Sequence, residues 1–134
     1  MNSEKFATAA MSYLQQNSSP LTRKSYLFAV RIVRMVKFIK CSPKEYGMLN
    51  QVFRSGTAIG ALVSEATFAQ SPADFINKLH VSLKECNETL YWLSILKDTE
   101  FINEQEFESM TNDCQEILAL LIASIKTIKK NNEK

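Results

Sequence analysis

Residues 71–97 read SPADFINKLHVSLKECNETLYWLSILK, and this stretch decides the fold class. It opens with Ser71 as a helix cap, Pro72 at the first helical position and Asp74 in the first turn. That order matches the orphan N–H groups and positive dipole end of a helix N-terminus. Ile76, Leu79, Leu83, Cys86, Leu90 and Leu93 then step by 3, 4, 3, 4 and 3 residues. Such spacing lays one apolar stripe along a helix and predicts a seam against other helices. The helix is expected to end near Lys97.

Working outward, the same pattern recurs three times. Leu49, Val52, Gly56, Ile59, Val63 and Ala66 form a seam in a helix expected over about Lys44–Ala69. Before it, Phe28, Ile32, Met35, Val36 and Ile39 share a stripe in a helix over about Leu21–Lys40. Cys41-Ser42-Pro43 stops that helix, because the residue before proline avoids the helical region. After residue 97, Asn103-Glu104-Gln105-Glu106 forms a capping-box pattern. Phe107, Met110, Cys114, Ile117, Leu121, Ile125 and Ile128 follow as the fourth seam. Short connections make consecutive helices antiparallel neighbours. The expected fold is therefore all-α, an antiparallel up-down-up-down four-helix bundle over 21–130 with a short N-terminal helical arm. The arm and linker take 1–20, with Phe6, Ala10, Tyr13 and Leu14 on one side, and 131–134 form a frayed tail.

Composition agrees with one domain. The 134 residues are 46% hydrophobic and 22% charged, with only 3 Gly and 3 Pro, a poverty that long helices tolerate best. Cys41, Cys86 and Cys114 are odd in number and far apart in sequence, which argues for reduced thiols. No signal-peptide core or membrane-spanning run appears, so the expectation is a cytoplasmic protein that does not enter a membrane. Catalysis is not expected. His80 has no nucleophile or carboxylate set around it. Gly56 and Gly60 do not sit between a strand and a helix, and no Glu-x-x-His motif offers a metal site. Neither a cofactor nor a small-molecule substrate is indicated.

Charge is distributed in blocks. Residues 21–44 carry seven basic groups and no acid; residues 98–116 carry seven acids and no base. In an up-down bundle, Lys37, Lys40 and Lys44 are expected to meet Glu104, Glu106 and Glu108. At the opposite end Arg23, Lys24, Lys126, Lys129 and Lys130 gather with few acids. This basic pole is the candidate phosphate-binding site for RNA or DNA; the alternative is a solvated helix end favoured by the dipole.

Two further features ask for a neighbour. Glycine inside a helix costs about 1 kcal/mol, so Gly56 and Gly60, one turn apart, imply a helix packed close upon them. Arg54, Ala58, Ala61 and Glu65 occupy the other face of that helix. On the next helix Val81, Glu85, Glu88, Trp92 and Ile95 lie opposite the expected seam. Arg54, Ala58, Ala61, Glu65, Val81, Glu88 and Trp92 are therefore the candidate subunit interface, with Trp92 as anchor. The alternative is that the arm covers this surface.

Several segments resemble a known family. They are Phe28-Ala29-Val30-Arg31-Ile32-Val33, Arg54-Ser55-Gly56-Thr57-Ala58-Ile59-Gly60-Ala61 with Glu65-Ala66, Asp74-Phe75-Ile76-Asn77-Lys78-Leu79, and Lys84-Glu85 with Glu88-Thr89-Leu90-Tyr91-Trp92-Leu93. Together they resemble the bacterial four-helix-bundle proteins of large-subunit rRNA intervening sequences, also called S23 ribosomal proteins. The resemblance covers about residues 21–130. It departs at Leu62 and Ser64, where the family often has Asn and an acid. It implies a bundle that assembles into a ring, typically a pentamer. It also implies kinship with the accessory proteins of diversity-generating retroelements, which bind nucleic acid and a reverse transcriptase. The expected function is thus a homo-oligomeric, non-enzymatic bundle that serves as a nucleic-acid-binding adaptor. The alternative is a structural or protein-binding scaffold.

Overall fold

The structure, a computed structural model, describes residues 19–132. Four helices pack into an antiparallel bundle: α1 Pro20–Phe38, α2 Tyr46–Ala66, α3 Pro72–Asp98 and α4 Glu104–Asn132. Each packs against its sequence neighbours, and α1 returns against α4 to close the bundle. Of the arm expected over 1–20, only Ser19 and Pro20 are described; the rest lies outside the described residues. Helix α4 continues through Asn132, beyond the tail boundary expected at 131.

Local chemistry sets each boundary. The Ser19 hydroxyl accepts from the Thr22 amide at 3.1 Å, and Pro20 fills the first helical position of α1. Pro43–Glu45 forms a 3-10 turn rather than the first turn of α2. The reason is a capping box: one Glu45 carboxylate oxygen accepts from the Ser42 amide at 2.8 Å and from its hydroxyl at 2.9 Å. Ser71 caps α3, accepting from the Asp74 amide at 3.1 Å. After α3 the chain reverses through Glu100, a non-glycine residue at φ 66°. Phe101 N–H donates to Leu96 O at 2.8 Å and Glu100 N–H to Lys97 O at 3.0 Å, the paired bonds of a Schellman stop. Asn103 and Glu106 then cap α4 reciprocally, at 2.8 and 3.2 Å.

The core joins Phe28 and Ile32 of α1, Val52, Ile59 and Val63 of α2, Leu79, Cys86 and Leu93 of α3, and Cys114, Ile117 and Leu121 of α4. The α1, α2 and α4 stripes agree in outline with the sequence periods. The α3 stripe does not. Ile76, Leu83 and Leu90 were expected in the seam, but each is half-buried on its flank. Ser82, Thr89 and Leu96 are instead fully buried. Small residues on α2 explain the rotation. The Ser82 hydroxyl donates to Ile59 O at 2.9 Å, and Thr89 Oγ1 lies 2.9 Å from Ser55 Oγ. These contacts satisfy buried polar groups that a bulkier seam would leave without room.

Candidate functional site

The two helical glycines face α1. A Cβ on Gly56 would lie 2.6 Å from Ile32 Cγ1, and one on Gly60 would lie 3.0 Å from Ser25 O. The groove over them is therefore filled within the chain. It positions α1 against α2 and leaves no open slot for a second molecule.

On the α2–α3 flank the charged residues of the candidate interface find partners inside the chain. Arg54 Nη1 lies 3.2 Å from Glu85 Oε2, and its Nη2 donates to Glu88. Desolvation pulls the Arg54 pKa down while Glu85 and Glu88 pull it up, and the net shift is upward. Glu65 pairs with Lys78 at 3.3 Å. Antiparallel packing places Arg54 beside Glu85 and Glu88, and Glu65 beside Lys78, within one chain. Trp92 also turns partly inward: it packs on the core, and its indole N–H donates to Glu88 Oε2 at 3.3 Å. Tyr91 remains outside, 59% exposed and edge-on to Trp92 at 5.1 Å between ring centroids. Ala61 is exposed, while Ala58 and Val81 are half-buried. Tyr91 was missed from sequence, although its place beside Trp92 was a usable signal.

The charge blocks meet differently from expectation. Arg31 pairs with Asp113 and Lys24 with Glu116, each at 2.5 Å, across the α1–α4 contact. Glu104 is taken by Lys97 at 3.6 Å and Glu106 by the α4 cap. Among the described residues Lys37, Lys40 and Lys44 form no ion pair, contrary to the expected neutralisation. Lys24 is half-buried and pairs with Glu116, so among the five basic residues of the pole it is the one with an ion pair among the described residues. Arg23, Lys126, Lys129 and Lys130 remain exposed there, without an ion pair among the described residues.

Reactive groups are sparse. His80 is exposed on α3, and the described residues contain no group of three or more His, Cys, Asp or Glu arranged to hold a metal ion. Cys86 and Cys114 are buried side by side, with Cys114 Sγ 3.6 Å from Cys86 O. The hydrogen bond to Cys114, together with burial, holds the Cys86 thiol far above the ordinary thiol range. A thiol kept protonated and packed in the core is a poor nucleophile. No helix is long and apolar enough to cross a membrane among the described residues.

Comparison with known proteins gives two findings. A family model described as 23S rRNA-intervening sequence protein matches residues 18–123. The chain is also similar to a protein with unknown function from the S23 ribosomal protein family of Bacteroides thetaiotaomicron VPI-5482, whose crystal structure was determined at 1.70 Å. The two share 54% identity with a TM-score of 0.75, over 79% of this chain and 98% of that one. No curated protein matches the chain.

Proposed function

This chain belongs to the 23S rRNA-intervening sequence protein family, and on that premise we propose that it is a non-enzymatic, homo-oligomeric adaptor that holds nucleic acid by its phosphate backbone. The cytoplasm is its proposed compartment. The observation that carries the reading is the basic pole. Arg23, Lys126, Lys129 and Lys130 are exposed and have no ion pair among the described residues, whereas Lys24 and Arg31 of α1 pair with Glu116 and Asp113 of α4. Charges left in this state gain from neutralising phosphates and releasing counterions.

Light scattering coupled to size exclusion, read at 260 and 280 nm, tests oligomer and bound nucleic acid together. Replacing Lys126, Lys129 and Lys130 with Gln is expected to weaken RNA binding alike across sequences. It should also flatten the slope of log affinity against log salt by about 2 to 3. A parent that never retains nucleic acid, or a triple variant that binds as before, reduces the pole to a capped helix end.

The oligomer is proposed to be a ring, with a pentamer favoured, whose contacts include Ala61, Tyr91 and the outer edge of Trp92. A scaffold without nucleic acid is the second reading, favoured by the same exposed Tyr91 beside Trp92. Trp92→Ala is expected to cost about 2 kcal/mol at each subunit contact and to release folded monomers at micromolar concentration. A monomeric parent would refute the ring.

A further inference from the structure

Building on the nucleic-acid reading, we infer that the corner where α1 passes into the 3-10 turn is a stacking site for single-stranded nucleic acid: Phe38 receives a base and Lys37, Lys40 and Lys44 hold the flanking phosphates. Phe38 is the last residue of α1 and is 86% exposed. Met35, Val36 and Ile39 around it pack towards the core, which leaves the Phe38 ring pointing off the seam. Lys37, Lys40 and Lys44 are all exposed. Basic groups interleaved with an open aromatic ring are what a single strand needs, since its bases are free to stack and its phosphates run alongside.

The surrounding acids do not cancel this charge by pairing with it. Glu45, the one acid between Lys37 and Tyr46, is bound to the amide and hydroxyl of Ser42. Glu106 shares a shallow groove with Phe38, Arg31 and Arg34, and it is bound to the Asn103 amide in the α4 cap. Glu104 is bound to Lys97. Across the turn Tyr46, 55% exposed, borders a second groove with Lys40 and offers a further ring. Phe68 lacks such neighbours. It is 85% exposed just beyond α2, yet Thr67, Ala69 and Gln70 flank it and no lysine lies in its segment. Exposure of an aromatic alone does not make a stacking site; the lysines around Phe38 distinguish the two.

The test is fluorescence anisotropy of the full chain with short labelled single-stranded RNA, single-stranded DNA, and the same RNA annealed to its complement. Phe38→Ala is expected to weaken single-strand binding about tenfold and to leave duplex binding unchanged. Phe38→Trp should retain single-strand affinity. Replacing Lys37, Lys40 and Lys44 with Gln should weaken single-strand binding and flatten its salt slope. If the parent binds none of the probes, the nucleic-acid reading falls and takes this site with it. Parental binding that survives in Phe38→Ala overturns the site alone. A changed oligomeric mass in Phe38→Ala, with single-strand affinity intact, makes Phe38 a subunit contact and also overturns it. Circular dichroism of each variant checks that the exposed substitutions leave the bundle folded.

Discussion

Gly56→Leu is expected to cost about 3 kcal/mol and to lower Tm by about 10 °C. The first atom of any side chain at this position would already sit 2.6 Å from Ile32 Cγ1 and 2.8 Å from Ile32 Cδ1. Ile32 has nowhere to retreat, because it is fully buried between α1 and the rest of the core. Replacing a helical glycine gains about 1 kcal/mol of helix propensity, and that gain is smaller than the cost of overpacking. The pairing can be isolated. Adding Ile32→Ala should give a double mutant that loses less than the sum of the two single losses, a non-additive result in a double-mutant cycle. Urea and thermal unfolding measure both effects. An unchanged Tm in Gly56→Leu would mean that α1 does not lie over this glycine.

Leu93→Ala is expected to destabilise the bundle by about 3 kcal/mol, and Leu90→Ala by only about 1 kcal/mol. The two residues belong to the same apolar spacing in sequence. They differ in the fold: Leu93 is fully buried, whereas Leu90 is half-buried on the flank of α3. Truncating Leu93 leaves a cavity among core side chains that cannot collapse completely, while the Leu90 site opens to water. Equal losses in the two variants would return α3 to the rotation that its leucine spacing suggested.

The glycines were legible in sequence, since two helix-weakening residues one turn apart are tolerated only where a neighbour approaches closely. Which neighbour was not legible; the structure supplies Ile32 and the Ser25 carbonyl. Trp92 was legible as an unusual residue off the leucine stripe. Its half-burial depends on the core it packs against, whereas its bond to Glu88 lies within α3.

What the sequence determined by itself was local. Ser19, Ser71 and Asn103 accept their amides within three residues, and Pro20, Pro43 and Pro72 mark where helical structure begins. Apolar spacing specified four helices, and short connections specified their antiparallel order. What only the tertiary structure decided was rotation and axial register. On α3 the stripes 76-79-83-86-90-93 and 79-82-86-89-93-96 share Leu79, Cys86 and Leu93, so periodicity alone cannot choose between them. The choice falls to Ser55 and the Ile59 carbonyl, which accept Thr89 and Ser82 at a close approach. Likewise, whether Lys24 or Lys37 meets an acid of α4 depends on how far one helix slides along the other. A helix carries its caps and its apolar period in its own sequence, but its rotation and slide are settled by the side chains of the helices it packs against.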